Sequence, residues 1–244
     1  MKTFLKNGTG LISCAHWEPH CWVHIESPSE DDKNYLTEAL GVPLSFYNDI
    51  EDIDERPRIE IENGWFLIIL RVPVKTTDSS LPYATIPLGI IFKDDIFVSV
   101  CFQRLDMVAD FIQYTHRKGI NKENRFDFVL RLLLSSSVWF LKYLKQINQE
   151  IKLAEKKLEK SIKNEDLQTL LQIEKCLVFF TTSLKGNDIL IHFIKNLKEY
   201  NNDLDTDLIE GVEIELRQTQ ETTKIYSDIL SGMMELTPPS SPTT

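Results

Sequence analysis

The sequence predicts an α/β (α+β) chain: an N-terminal mixed sheet with flanking helices, followed by long antiparallel helices and a C-terminal stalk helix. Three observations carry that reading. Short alternating or apolar runs bounded by turn residues fill the first hundred positions. From Leu105 onward the apolar period lengthens from two to about three and a half. Finally, no proline interrupts Asp203 to Glu235, where Leu208, Val212, Leu216, Thr219, Thr223, Tyr226, Leu230 and Met233 recur every three or four residues.

Taken in order, Gly10 to Cys14 and Cys21 to Glu26 read as strands, bounded by Asn7-Gly8-Thr9-Gly10 and Ser27-Pro28-Ser29. A helix follows, capped by Ser29, acidic in its first turn at Glu30, Asp31 and Asp32, and closed by Gly41. Pro43 starts a second short helix, through Ile50. Arg58 to Glu62 and Trp65 to Val72 flank Asn63-Gly64, a strong hairpin signal. Thr85 to Phe92 and Ile96 to Cys101 flank the turn Lys93-Asp94-Asp95, which completes a sheet of about five or six strands, mixed or antiparallel at its centre.

A helix from Leu105 to Arg117 ends at Lys118-Gly119. The next runs from Lys122 to Ile162, with Phe140, Leu144, Ile147, Ile151, Ala154 and Leu158 spaced 4, 3, 4, 3, 4. After a break at Lys163-Asn164, the series Leu170, Ile173, Leu177, Phe180, Leu184, Asn187, Ile191 and Ile194 repeats that seam, so the two helices pair as an antiparallel hairpin. Asn201-Asn202-Asp203 turns the chain into the stalk, about 50 Å long. The stalk carries nine acids against Arg217 and Lys224, a local balance of −7. Such a rod should meet other helices or other subunits. The divisions expected are 1–120 for the α/β domain, 121–200 for the hairpin, 201–236 for the stalk and 237–244 for a disordered, proline-rich tail.

The chain has 244 residues, 42% of them hydrophobic, enough for a sizeable core. A formal charge of −10 argues against nonspecific nucleic-acid binding and makes cations the more natural partners. No apolar run spans a bilayer, no signal-type segment follows Met1, and the four cysteines have no short repeated spacing, which fits free thiols in a reducing compartment.

Cys14, His16, His20, Cys21 and His24 offer five soft-metal ligands within eleven residues. Strand alternation nevertheless sends Cys21 and His24 to opposite faces, and the spacing fits no finger or knuckle, so dispersed sheet residues are the expectation. Asp49 to Glu55 lacks the glycine and ligand spacing of a calcium loop and reads as a solvated turn. Phosphate loops, nucleophile elbows and zinc-protease motifs are absent, and no catalysis is expected.

Asn48 to Glu62 and Ile225 to Met234 resemble the CorA-like family of divalent-cation channels and transporters. Trp22-Val23-His24-Ile25, with Ser27-Pro28 and the acids after it, is similar to that family's early strand-to-helix step. The resemblance implies a magnesium or divalent metal ion-sensing and gating domain at the cytoplasmic face of the cell membrane. It also implies self-association as a pentamer around a central axis. The family's Gly-Met-Asn signature and both membrane spans lie outside this sequence, which is expected to be a soluble part of such a transporter. Regulatory Mg2+ in the family bridges neighbouring subunits, between an acid in a sheet loop and one near the start of the stalk. The stalk position falls on Gly211, so the implied metal ligands are Asp78, Asp207 and Glu210. The rival reading is a coiled-coil interaction protein whose seams bind a partner helix.

Overall fold

The computed structural model describes residues 1–78, 80–120, 124–158, 164–197 and 204–235. The expected helix ends at Lys122 and Ile162, the break at Lys163, the turn at Asn201 to Asp203 and the proline-rich tail lie outside the described residues. Among the described residues, seven strands form one mixed sheet: β1 Lys2–Gly8, β2 Gly10–Cys14, β3 Trp22–Glu26, β4 Arg58–Glu62, β5 Trp65–Lys75, β6 Tyr83–Lys93 and β7 Ile96–Cys101. Their order is β2-β1-β3-β7-β6-β5-β4, with β3 and β7 parallel and every other pair antiparallel.

The expected count of five or six strands is thus corrected to seven by β1. Only Leu5 of that strand is buried, so its sequence carries almost no alternation; its place is set by neighbours on both sides, Leu5 pairing Ser13 and Trp22. Asn63 and Gly64 both take positive φ, 51° and 81°, as the hairpin signal requires.

One face of the sheet is covered by short helices. Helix α1, Glu30–Asn34, opens with a capping box between Ser29 and Asp32 and continues as a π-helical turn over Tyr35–Ala39; α2 is Leu44–Glu51. Leu36, Val42, Phe46, Tyr47 and Ile50 close over Val23, Ile25, Leu67, Ile69, Val98 and Val100. Here Gly89 is required by contact: a Cβ would lie 2.1 Å from Ile50 Cδ1.

The opposite face carries the long helices. Helix α3, Asp106–Lys118, ends in left-handed Gly119, and α4, α5 and α6 span Arg125–Leu158, Asn164–Asn196 and Thr206–Glu235. Phe140 meets Phe180 edge-on, and Lys157 lies 3.5 Å from Asp166, so α4 and α5 are antiparallel. Asn187 interrupts the apolar seam of α5 for a reason absent from the heptad pattern. β4 stops pairing with β5 at Ile69, and the Asn187 amide takes over: Arg71 N–H donates to its Oδ1 at 2.9 Å, and its Nδ2 donates to Arg71 O at 2.8 Å. One side chain extends the sheet's hydrogen bonding by a residue.

Helix α6 lies on this hairpin along its length. Leu208, Val212, Leu216, Thr219, Thr223 and Leu230 are buried, and Tyr226 and Met233 pack partly buried on the same core. The stripe read from the sequence is therefore covered within the chain. A second stripe, Ile214, Ile225 and Ile229, remains 54%, 55% and 45% exposed. Among the described residues, no helix is long and apolar enough to cross a membrane.

Candidate functional site

The start of α6 presents acids to solvent. Asp205 caps the helix, its Oδ1 accepting from Asp207 N–H at 3.1 Å and Leu208 N–H at 3.0 Å. That leaves the carboxylates of Asp207 and Glu210 on exposed positions of the first turns. Gly211 borders open space, with nothing within 4 Å of a built Cβ. Glu213, one turn on, is drawn aside by Lys195 Nζ, 2.6 Å from its Oε1.

Asp78 sits in the turn between β5 and β6. Its Oδ1 accepts from Ser80 N–H at 2.8 Å, and bonding to Ser80 holds the carboxyl below its ordinary range, so it is ionised. The chain does not itself bring Asp78, Asp207 and Glu210 together as ligands. Among the described residues, the one group of three acid, histidine or cysteine ligands close enough to share an ion is elsewhere.

A different pair of acids meets at the base of the bundle. Asp205 N–H donates to Asp127 Oδ1 at 3.2 Å, joining the first turns of α4 and α6. Burial pushes the Asp127 carboxyl up and repulsion from Asp205 adds to this, against the bond from Asp205 N–H.

The acidic run Asp49 to Glu55 is not the single solvated turn expected: Asp49 to Glu51 close α2, with Ile50 buried, and the loop begins at Asp52. Arg58 bridges Asp49 at 2.7 Å and Glu60 at 3.0 Å and also contacts Glu55. Buried Arg71 ties the same loop to the sheet, donating to the carbonyls of Ile53 and Glu55 and to Thr85.

The five Cys and His ligands are dispersed, as alternation predicts. His16 and His20 are exposed, with His20 Nδ1 3.2 Å from Asp95; Cys21 is buried under the short helices. His24 faces the other side, where it meets Ser99, Glu26 and Cys101. His24 and Glu26 share a face by their spacing of two. Cys101 joins them only because β7 runs parallel to β3 with Glu26 opposite Cys101, a pairing no local signal reveals.

The comparisons with known proteins agree with this architecture. A family model described as "CorA-like Mg2+ transporter protein" matches residues 17–237. The cobalt/magnesium transport protein CorA of Methanocaldococcus jannaschii is 23% identical over 220 residues, covering 88% of this chain and 68% of that protein. The complete structure of the CorA magnesium transporter from the same organism matches with a TM-score of 0.83 at 20% identity, over 97% of this chain and 76% of that one. The structure of the soluble domain of CorA from that organism matches with a TM-score of 0.78 at 19% identity, over 96% and 95%. At these identities the structural likeness establishes the fold.

Proposed function

The chain belongs to the CorA-like Mg2+ transporter family, and from that membership we propose that it forms the cytoplasmic ion-sensing and gating part of a magnesium or divalent-cation transporter. Residues 1–120 would serve as the α/β domain, 121–200 as the hairpin and 201–236 as the stalk, five copies assembling around the stalks. One observation supports this reading above the others. The outward side of α6 is open over its whole length, acidic at Asp207 and Glu210 and apolar at Ile214, Ile225 and Ile229.

Asp207 and Glu210, three residues apart, share neighbouring faces of one helix and cannot surround a cation alone. Asp78 of a neighbouring copy would complete the set. Exposed carboxylates of this kind suit Mg2+, which keeps several waters and takes one or two carboxylates. Bound cations would offset repulsion between acids across the subunit contact, and their loss would let the stalks splay. Affinity should be weak, with a dissociation constant in the millimolar range, about 4 kcal/mol at standard state.

The test is protease protection of the membrane-embedded protein across a magnesium titration. Asp207→Ala combined with Glu210→Ala should make the protected state depend less on magnesium while the fold is retained. An unchanged midpoint would reduce these acids to a solvated face.

A further inference from the structure

We propose that His24, Glu26 and Cys101 form a buried site for one zinc-class divalent ion, distinct in place and chemistry from the magnesium acids. The inference does not rest on the transport reading.

The site begins with a buried imidazole. His24 is 4% exposed, and among the described residues its Nε2 makes no hydrogen bond and has Glu26 Oε1 3.3 Å away. Its separation from Glu26 is what a metal would need. Two ligand bonds of about 2.0 Å meeting at a tetrahedral angle place their donor atoms about 3.3 Å apart. The ligating atoms of His24, Glu26 and Cys101 all lie within 4.8 Å of one another.

The surroundings hold these ligands in place. His24 Nδ1 lies 2.7 Å from Ser99 Oγ, which also accepts from Trp22 Nε1–H at 2.7 Å. The serine oxygen has two lone pairs, so it can accept from Nδ1–H as well, which leaves the Nε2 lone pair free for an ion. Glu26 Oε1 is fixed by Leu105 N–H at 2.9 Å.

Donor chemistry selects the ion. One thiolate, one imidazole and one carboxylate suit Zn2+ or Co2+ and not Mg2+, which needs near-octahedral oxygen. A dication with one thiolate and one carboxylate is formally neutral, as a site at the edge of the core requires. Cys101 Sγ now donates to Gln103 O at 3.0 Å. Binding therefore displaces the thiol proton to solvent, the sulfur forming the metal bond as the S–H bond breaks.

The test uses Co2+ as the probe, added to the chelator-treated chain in excess magnesium. One equivalent should bind with a thiolate-to-cobalt charge-transfer absorption, and Zn2+ should displace it. His24→Gln and Cys101→Ala should each weaken binding at least about a hundredfold, whereas Cys14→Ser should leave it unchanged. The proposal fails if the folded wild-type chain shows no such absorption, if the absorption survives Cys101→Ala, or if Cys14→Ser removes it. Should Cys101→Ala not fold, the wild-type and Cys14→Ser spectra still decide.

Discussion

The two stripes of α6 differ in what covers them. On the inner stripe, Val212, Leu216 and Leu230 are buried almost completely against the α4–α5 hairpin; on the outer one, Ile214, Ile225 and Ile229 stay about half exposed. Carrying large aliphatic residues on both sides, with acids between, this helix has an inner side covered within the chain and an outer side left open, on which the proposed assembly would rest.

The sharpest way to break that contrast is to truncate one residue from each stripe. Leu216→Ala opens a cavity in the bundle and should cost about 2–5 kcal/mol, whereas Ile225→Ala should change the stability of the isolated chain by under about 0.5 kcal/mol. Urea unfolding of the two variants at dilute protein measures the difference. Equal losses would mean that the outer stripe is packed after all.

A smaller effect is expected where the hairpin that covers the inner stripe is anchored to the sheet. Asn187→Leu keeps an apolar seam but strips Arg71 N–H of its acceptor; Arg71 O retains Ser136 Oγ at 3.2 Å. The cost should be about 1–3 kcal/mol, read from thermal unfolding, with Ile225→Ala again as the silent control. A neutral or stabilising outcome would show that the amide serves no ladder.

The smallest effect concerns the base of the inner contact. Because the folded-state pKa of Asp127 is raised, by burial first and then by Asp205, its contribution to stability is present below its unfolded pKa and is lost as pH rises through the folded value. The wild-type chain therefore carries a small penalty at neutral pH. Asp127→Asn, which keeps an acceptor for Asp205 N–H, should raise the melting temperature at neutral pH and lose that advantage at about pH 3. An advantage that persists in acid would exclude carboxylate repulsion as its source.

What the sequence disclosed follows the same division. The inner seams were legible because burial imposes a period: Phe140 to Ala154, Leu170 to Ile194 and Leu208 to Leu230 are the apolar positions that the structure buries. Ser29, Asn63-Gly64 and Gly119 were legible because cap and turn conformations demand those residue types. β1 was not, since six of its seven residues are not fully buried and its pairing is dictated by β2 and β3. The outer stripe was hidden behind the stronger inner one. Asp78, Asp207 and Glu210 could be named by position but not joined, because their proposed meeting place lies between chains. The meeting of His24 with Cys101 depends on a parallel strand pair 75 residues apart in sequence, from His24 to Ser99.

The most direct test of the outer stripe as an association surface is sedimentation velocity of the chain at two concentrations, with and without millimolar magnesium. The wild-type chain should be monomeric or loosely associated and shift to larger species when magnesium is added. Ile214→Glu, Ile225→Glu and Ile229→Glu combined should remain monomeric with an unchanged melting curve. A wild-type chain indifferent to magnesium, or a triple variant that associates as the wild type does, would contradict the account.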